Sequence, residues 1–127
     1  MDKERRYVPR QNVTSEVLEG EAIIIDLETG IYFSLNNVGG RIWSLITSGL
    51  PASDIAAVLA KEYISEDHQI QRDLNQLVDQ LLAEGLIEPS PMSQPAGTVP
   101  PAPSGIPRPY EPPHLEIYRD MGDLLVE

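Results

Sequence analysis

The chain has 127 residues, enough for one domain and too few for two comfortable ones. It contains no cysteine, which excludes disulfides, thiolate metal sites and thiol nucleophiles. Its formal net charge of −11 argues against a nucleic-acid partner, whose phosphates it would repel. The two histidines, His68 and His114, lie too far apart to match a metal-ligand spacing. No apolar run reaches transmembrane length, and Met1 to Arg6 leads into no signal segment, so a cytoplasmic protein without metal or cofactor is expected.

Residues 1–11 are charged and read as a frayed terminus. Asn12 to Leu18 is a weak strand with Val13 and Val17 apolar. Glu19-Gly20 makes a turn into Glu21 to Leu27, where the β-branched run Ile23-Ile24-Ile25 predicts a central strand buried on both faces. Glu28-Thr29-Gly30 forms the next hairpin, with Gly30 free to take a positive φ. The third strand is Ile31 to Leu35, in which Ile31, Phe33 and Leu35 alternate with Tyr32 and Ser34.

The period then changes. Val38, Ile42, Leu45 and Ile46 lie on one face of a helix running from Asn37 to Thr47. Asn36 or Asn37 stands at the switch, where an asparagine oxygen accepts a backbone N–H that the first helical turn leaves unpaired. A second helix follows Pro51, with Ser53 as its expected cap and Ile55, Val58, Leu59 and Tyr63 on one face. Ser65 is the expected cap of a third, which carries Ile70, Leu74, Leu77, Val78, Leu81 and Leu82 at helical spacing and ends at Gly85. Leu86-Ile87 adds a short strand before Pro89. A small meander cannot cover its own apolar face, whereas three amphipathic helices can. The expected fold class is therefore α+β and winged-helix-like: a three-stranded antiparallel meander, then three helices, in a domain spanning residues 1–89, followed by a disordered Pro-rich C-terminal extension.

Ten of the twelve prolines lie between Pro89 and Pro113. Pro, Ala, Gly and Ser dominate residues 90–109, which read as an extended linker that buries no core. Apolar and aromatic residues return in 110–127, among them Tyr110, Leu115, Ile117, Tyr118 and Met121, as in a short docking motif on a tether.

No catalytic constellation is present in the sequence. Gly39-Gly40 lacks the Lys and Ser/Thr of a phosphate loop. Asp67, Asp73, Asp79 and Glu84 fall where a solvated helix face would put them. His68, an expected exposed first-turn residue, and His114 have no identifiable orienting partner for acid–base work.

The hairpin, the strand Gly30-Ile31-Tyr32-Phe33-Ser34-Leu35-Asn36, the following Val38-Gly39 and Ile42-Trp43-Ser44-Leu45-Ile46, and two further helices resemble the PqqD-like family over residues 7–88. That resemblance implies a non-catalytic recognition domain of pathways that modify ribosomally made peptides. It implies a precursor leader peptide bound as an added strand against the third strand, in a groove closed by the third helix, and delivered to a modifying enzyme: a protease, a cyclase or a radical enzyme. Carried over, the peptide-binding strand is Ile31, Tyr32, Phe33, Ser34 and Leu35, and the helix face is Ile70, Gln71, Asp73, Leu74 and Leu77.

An edge strand offers unpaired N–H and C=O groups to an extended peptide, which agrees with that implication. The tail carries Tyr110-x-x-Pro113-x-Leu115, which resembles the Tyr-x-x-Pro-x-Leu element of lasso-peptide leaders. Position 119 is Arg rather than the Gly of such leaders, Gly comes at 122, and no core peptide follows. The expectation is a recognition domain with a leader mimic able to occupy its own groove, not a fused precursor. Two alternatives stay open at this level. A winged-helix transcription regulator would want a basic third helix, and only Arg72 is there; a structural adaptor would dock a partner enzyme through the tail.

Overall fold

The structure is a computed structural model describing residues 7–18, 21–64, 68–89 and 108–118. The first strand, β1 (Tyr7–Pro9), lies within the stretch read as frayed. It pairs antiparallel with residues 87–89, in the register Tyr7↔Pro89, Val8↔Glu88 and Pro9↔Ile87. Three residues flanked by charge carry no period of their own; a partner about eighty positions away makes this a strand. Tyr7 packs against the core.

Strands β2 (Val13–Leu18), β3 (Glu21–Asp26) and β4 (Tyr32–Leu35) form the expected antiparallel meander. Gly30 takes φ 78° in the β3–β4 turn, and its N–H donates to the Asp26 carbonyl at 2.8 Å. Asn12 Nδ2 donates to Asp26 Oδ1 at 2.8 Å, and that bond, above all, holds the Asp26 carboxyl below its usual range. The reading of Ile23-Ile24-Ile25 as buried on both faces is corrected. Ile24 is buried, but Ile25 is 38% exposed, because its side chain points away from the helix-covered face of the sheet.

Helix α1 (Asn37–Thr47) keeps its expected bounds and is capped by Asn36. It buries Val38, Ile42, Leu45 and Ile46, with Trp43 1% exposed beside them. Trp43 Nε1–H donates to Ser15 Oγ on β2 at 2.9 Å, so the indole is buried without orphaning its only donor. Helix α2 (Ala52–Glu62) starts on Pro51, not Ser53: Pro51 is the N-cap and no side chain caps the helix. Proline's fixed φ suits a helix start, so the Ser53 signal is not used. The two-residue strand β5 (Tyr63–Ile64) follows.

Helix α3 (Gln69–Ala83) buries Ile70, Leu74, Leu77, Val78 and Leu81, the expected face. The expected Ser65 cap lies outside the described residues. The N-cap is His68 at φ 67°, without a side-chain cap bond. Gly85, at φ 73°, follows the last turn as expected and turns the chain into β6 (Ile87–Pro89). The core lies between the inner sheet face and the three helices, with Ile24, Phe33, Leu35, Trp43, Leu59, Leu74 and Leu81 among its members. Arg41 on α1, 6% exposed, holds Glu62 on α2 through two hydrogen bonds of 2.9 and 2.6 Å, tying the first two helices together.

Candidate functional site

In a three-strand meander β4 would be an edge. Here its outer side is taken by β8 (Leu115–Tyr118), which completes a four-stranded sheet in the order β2-β3-β4-β8. The pairing is antiparallel: Tyr32↔Tyr118, Phe33↔Ile117, Ser34↔Glu116 and Leu35↔Leu115. The period of two then sorts the side chains. Leu115 and Ile117 share the inner face with Leu35 and Phe33 and pack against the core. Glu116 and Tyr118 face outward, where the Tyr118 and Tyr32 rings stack at 4.7 Å and Tyr118 O–H donates to Glu116 Oε1 at 2.6 Å.

A second pairing lies upstream in the same segment. Strand β7 (Arg108–Pro109), at the end of the stretch read as linker, runs parallel to β5, and Tyr110 N–H donates to the Ile64 carbonyl at 3.3 Å. The Tyr110 ring meets Tyr63 edge-on at 6.1 Å, and its hydroxyl donates to Asp73 Oδ2 on α3 at 2.7 Å. Burial first, then the hydrogen bond to the Asp73 carboxylate, pushes the Tyr110 hydroxyl well above its ordinary range. Between the two pairings the chain passes Pro112, Pro113 and His114, held by Asn36. Its Nδ2 donates to the Pro112 carbonyl at 3.0 Å, and its Oδ1 accepts the His114 N–H at 3.1 Å.

Of the residues singled out from sequence, Tyr32, Phe33, Ser34 and Leu35 line β8, and Asp73 meets Tyr110. Ile31 packs partly against the core just before β4. Ile70, Leu74 and Leu77 are core residues of α3, and Gln71 is exposed with its amide donating to Asn75. All three motif residues meet the domain or lie beside it: Tyr110 on Tyr63 and Asp73, Leu115 on Leu35, and the half-buried Pro113 between them. The sequence reading missed Tyr63 and Ile64 as partners of this segment, since two residues carry no strand period. It had Asn36 as a cap and not as a contact. Residues 90–107 and 119–127 lie outside the described residues.

Among the described residues no group of three or more His, Asp or Glu side chains could hold a metal ion. No helix of the described residues is long and apolar enough to cross a membrane.

A strand-to-helix platform whose edge receives an extended segment is the architecture of a peptide-recognition domain. The family model described as coenzyme PQQ synthesis protein D (PqqD) matches residues 21–87, more than half of the chain, and the chain belongs to that family. It is similar to a solved structure described as TbiB1 in complex with the TbiA(beta) leader peptide. The identity is 32% over 64% of this chain and 94% of that one, with a TM-score of 0.61. No curated protein matches the chain.

Proposed function

We propose that this protein is a non-catalytic leader-peptide carrier. It binds a precursor leader by strand addition to β4, beneath α3, and delivers it to the enzyme that modifies the peptide. The observation that carries this reading is the antiparallel pairing of β8 on β4, which is strand addition performed by the chain on itself. The similarity to a structure of TbiB1 with a leader peptide supports it. In this reading the tail segment 108–118 stands in for a leader and competes with it.

The size of the competition follows from the tether. About twenty residues between domain and motif give an effective concentration of order 1 mM. If the segment alone bound with a dissociation constant of about 1 µM, the closed form would win about a thousand to one, roughly 4 kcal/mol. A mimic near 1 mM would close the edge half the time and cost an external leader about twofold.

The test is fluorescence polarisation of a labelled synthetic peptide with the sequence of residues 108–118, titrated with the full chain and with a chain ending at Pro89. The shortened chain should bind it, and the full chain should bind it more weakly. No binding to the shortened chain at protein concentrations up to several millimolar would refute strand addition at this edge; equal binding to both chains would refute occupation by the tail.

A further inference from the structure

Asn36 sits where β4 becomes α1, and its side chain has more partners than a cap needs. Its Oδ1 accepts the Gly39 N–H at 2.9 Å, which is the cap bond, and also the His114 N–H at 3.1 Å. Its Nδ2 donates to the Pro112 carbonyl at 3.0 Å, and its own backbone N–H donates to the His114 carbonyl at 3.4 Å. The two N–H donors require the oxygen on one side of the carboxamide, and the carbonyl requires the NH₂ on the other, so the chemistry of the partners sets its orientation.

Proline has no main-chain N–H. Across Pro112, Pro113 and His114 the segment therefore offers one N–H and three carbonyls, and Asn36 takes the N–H and two of the carbonyls. The room for this is built into the helix. A Cβ on Gly39 would lie 2.9 Å from Asn36 Oδ1 and 2.9 Å from Leu35 Cδ2, so glycine lets the carboxamide fold over the first turn.

We propose that Asn36 is a peptide-reading residue, gripping the ligand main chain on both sides of its Pro113 position while it caps α1. Asn36 asks the ligand for a carbonyl and, two residues later, for an N–H and a second carbonyl, and it asks nothing of the residue between them, so a proline there loses no bond to it. This inference rests on the strand-addition reading and names a determinant within it.

The experiment is hydrogen exchange followed by mass spectrometry on the full chain, with a thermal melt in parallel. Asn36→Asp keeps an oxygen for the Gly39 and His114 N–H groups, and Asp is as good a cap as Asn. It turns the Pro112 contact from a donor into a second oxygen facing a carbonyl. Protection of the 110–118 segment should fall about tenfold, while β3, α1 and α3 stay protected and the melt stays close to wild type. Asn36→Ser, which keeps a capping oxygen without the amide donor, should do the same and serves if the aspartate variant folds poorly. Unchanged tail protection in both variants would overturn the role of Asn36, and so would a lowered melt with the tail still protected. A Leu115→Ala control separates the two levels. If it loosens the tail while the Asn36 variants do not, strand addition stands and the Asn36 role falls. A wild-type chain with an unprotected tail would overturn both.

Discussion

Tyr110 and Asp73, thirty-seven residues apart, are joined by a 2.7 Å hydrogen bond from the phenolic hydroxyl to the carboxylate Oδ2. The bond fastens the proline-rich segment to α3 at a point where the Tyr110 ring also leans edge-on against Tyr63. An acceptor beside the hydroxyl favours its protonated form, and so does burial, which is why the group titrates above its ordinary range. Tyr110→Phe keeps the ring and loses the bond, so it should weaken tail docking by about fivefold to tenfold in hydrogen exchange. The sign of the pH dependence follows from the raised value. The contribution is complete below the ordinary tyrosine pKa of about 10 and disappears as pH climbs through the higher folded value. Docking should thus be level from neutral pH to about pH 9 and weaken above it, and the Phe variant should lose part of that alkaline sensitivity.

Strand addition also predicts where proline is tolerated. In an antiparallel ladder, the N–H groups of alternate residues point at the neighbouring strand. Proline placed singly at each of residues 115–118 of the synthetic peptide should weaken binding at alternate positions, by about 1 kcal/mol or more where a paired N–H is removed. Polarisation titrations read this directly. A flat response across the four positions would contradict the β4–β8 ladder.

Phe33 and Trp43 are core residues, 2% and 1% exposed. Truncating either to Ala should cost about 3–5 kcal/mol in denaturant unfolding, a large share of a small domain's stability. Ser15→Ala should cost less, about 1–3 kcal/mol, by taking the acceptor from a buried indole N–H. A Trp43→Ala protein that unfolded like wild type would show the ring to be a contact and not a core member.

The Arg41–Glu62 pair joins α1 to α2 with side chains 6% and 12% exposed. Glu62→Ala takes one carboxylate from the buried Arg41 guanidinium and should cost about 1–3 kcal/mol, whereas replacing both residues with apolar ones of similar size should cost less. Chemical unfolding of the single and double variants measures the difference. Equal losses would mean that the pair works through packing and not charge.

The elements whose period is local are legible in the chain alone. The helix over 37–47, the inward face of α3 and the positive φ at Gly30 and Gly85 all follow from spacing and residue type within a dozen positions. It also carried the motif Tyr110-x-x-Pro113-x-Leu115 and named β4 as an edge able to receive an extended segment. Which short stretches become strands depends on the fold. Tyr7–Pro9, Tyr63–Ile64 and Arg108–Pro109 are too short to show a period, and each is ordered by a backbone partner remote in sequence. Burial of the isoleucine run was likewise a tertiary matter: with α1 packed on one face of the sheet, Ile24 is enclosed while Ile25, on the other face, is left at the surface. The same holds for Asn36. Its cap is written in the asparagine at the strand–helix switch, but its grip on Pro112 and His114 exists only because a segment more than seventy residues later returns to the edge of β4. A cap is a contact within one turn of chain; a peptide grip depends on what the fold brings beside it.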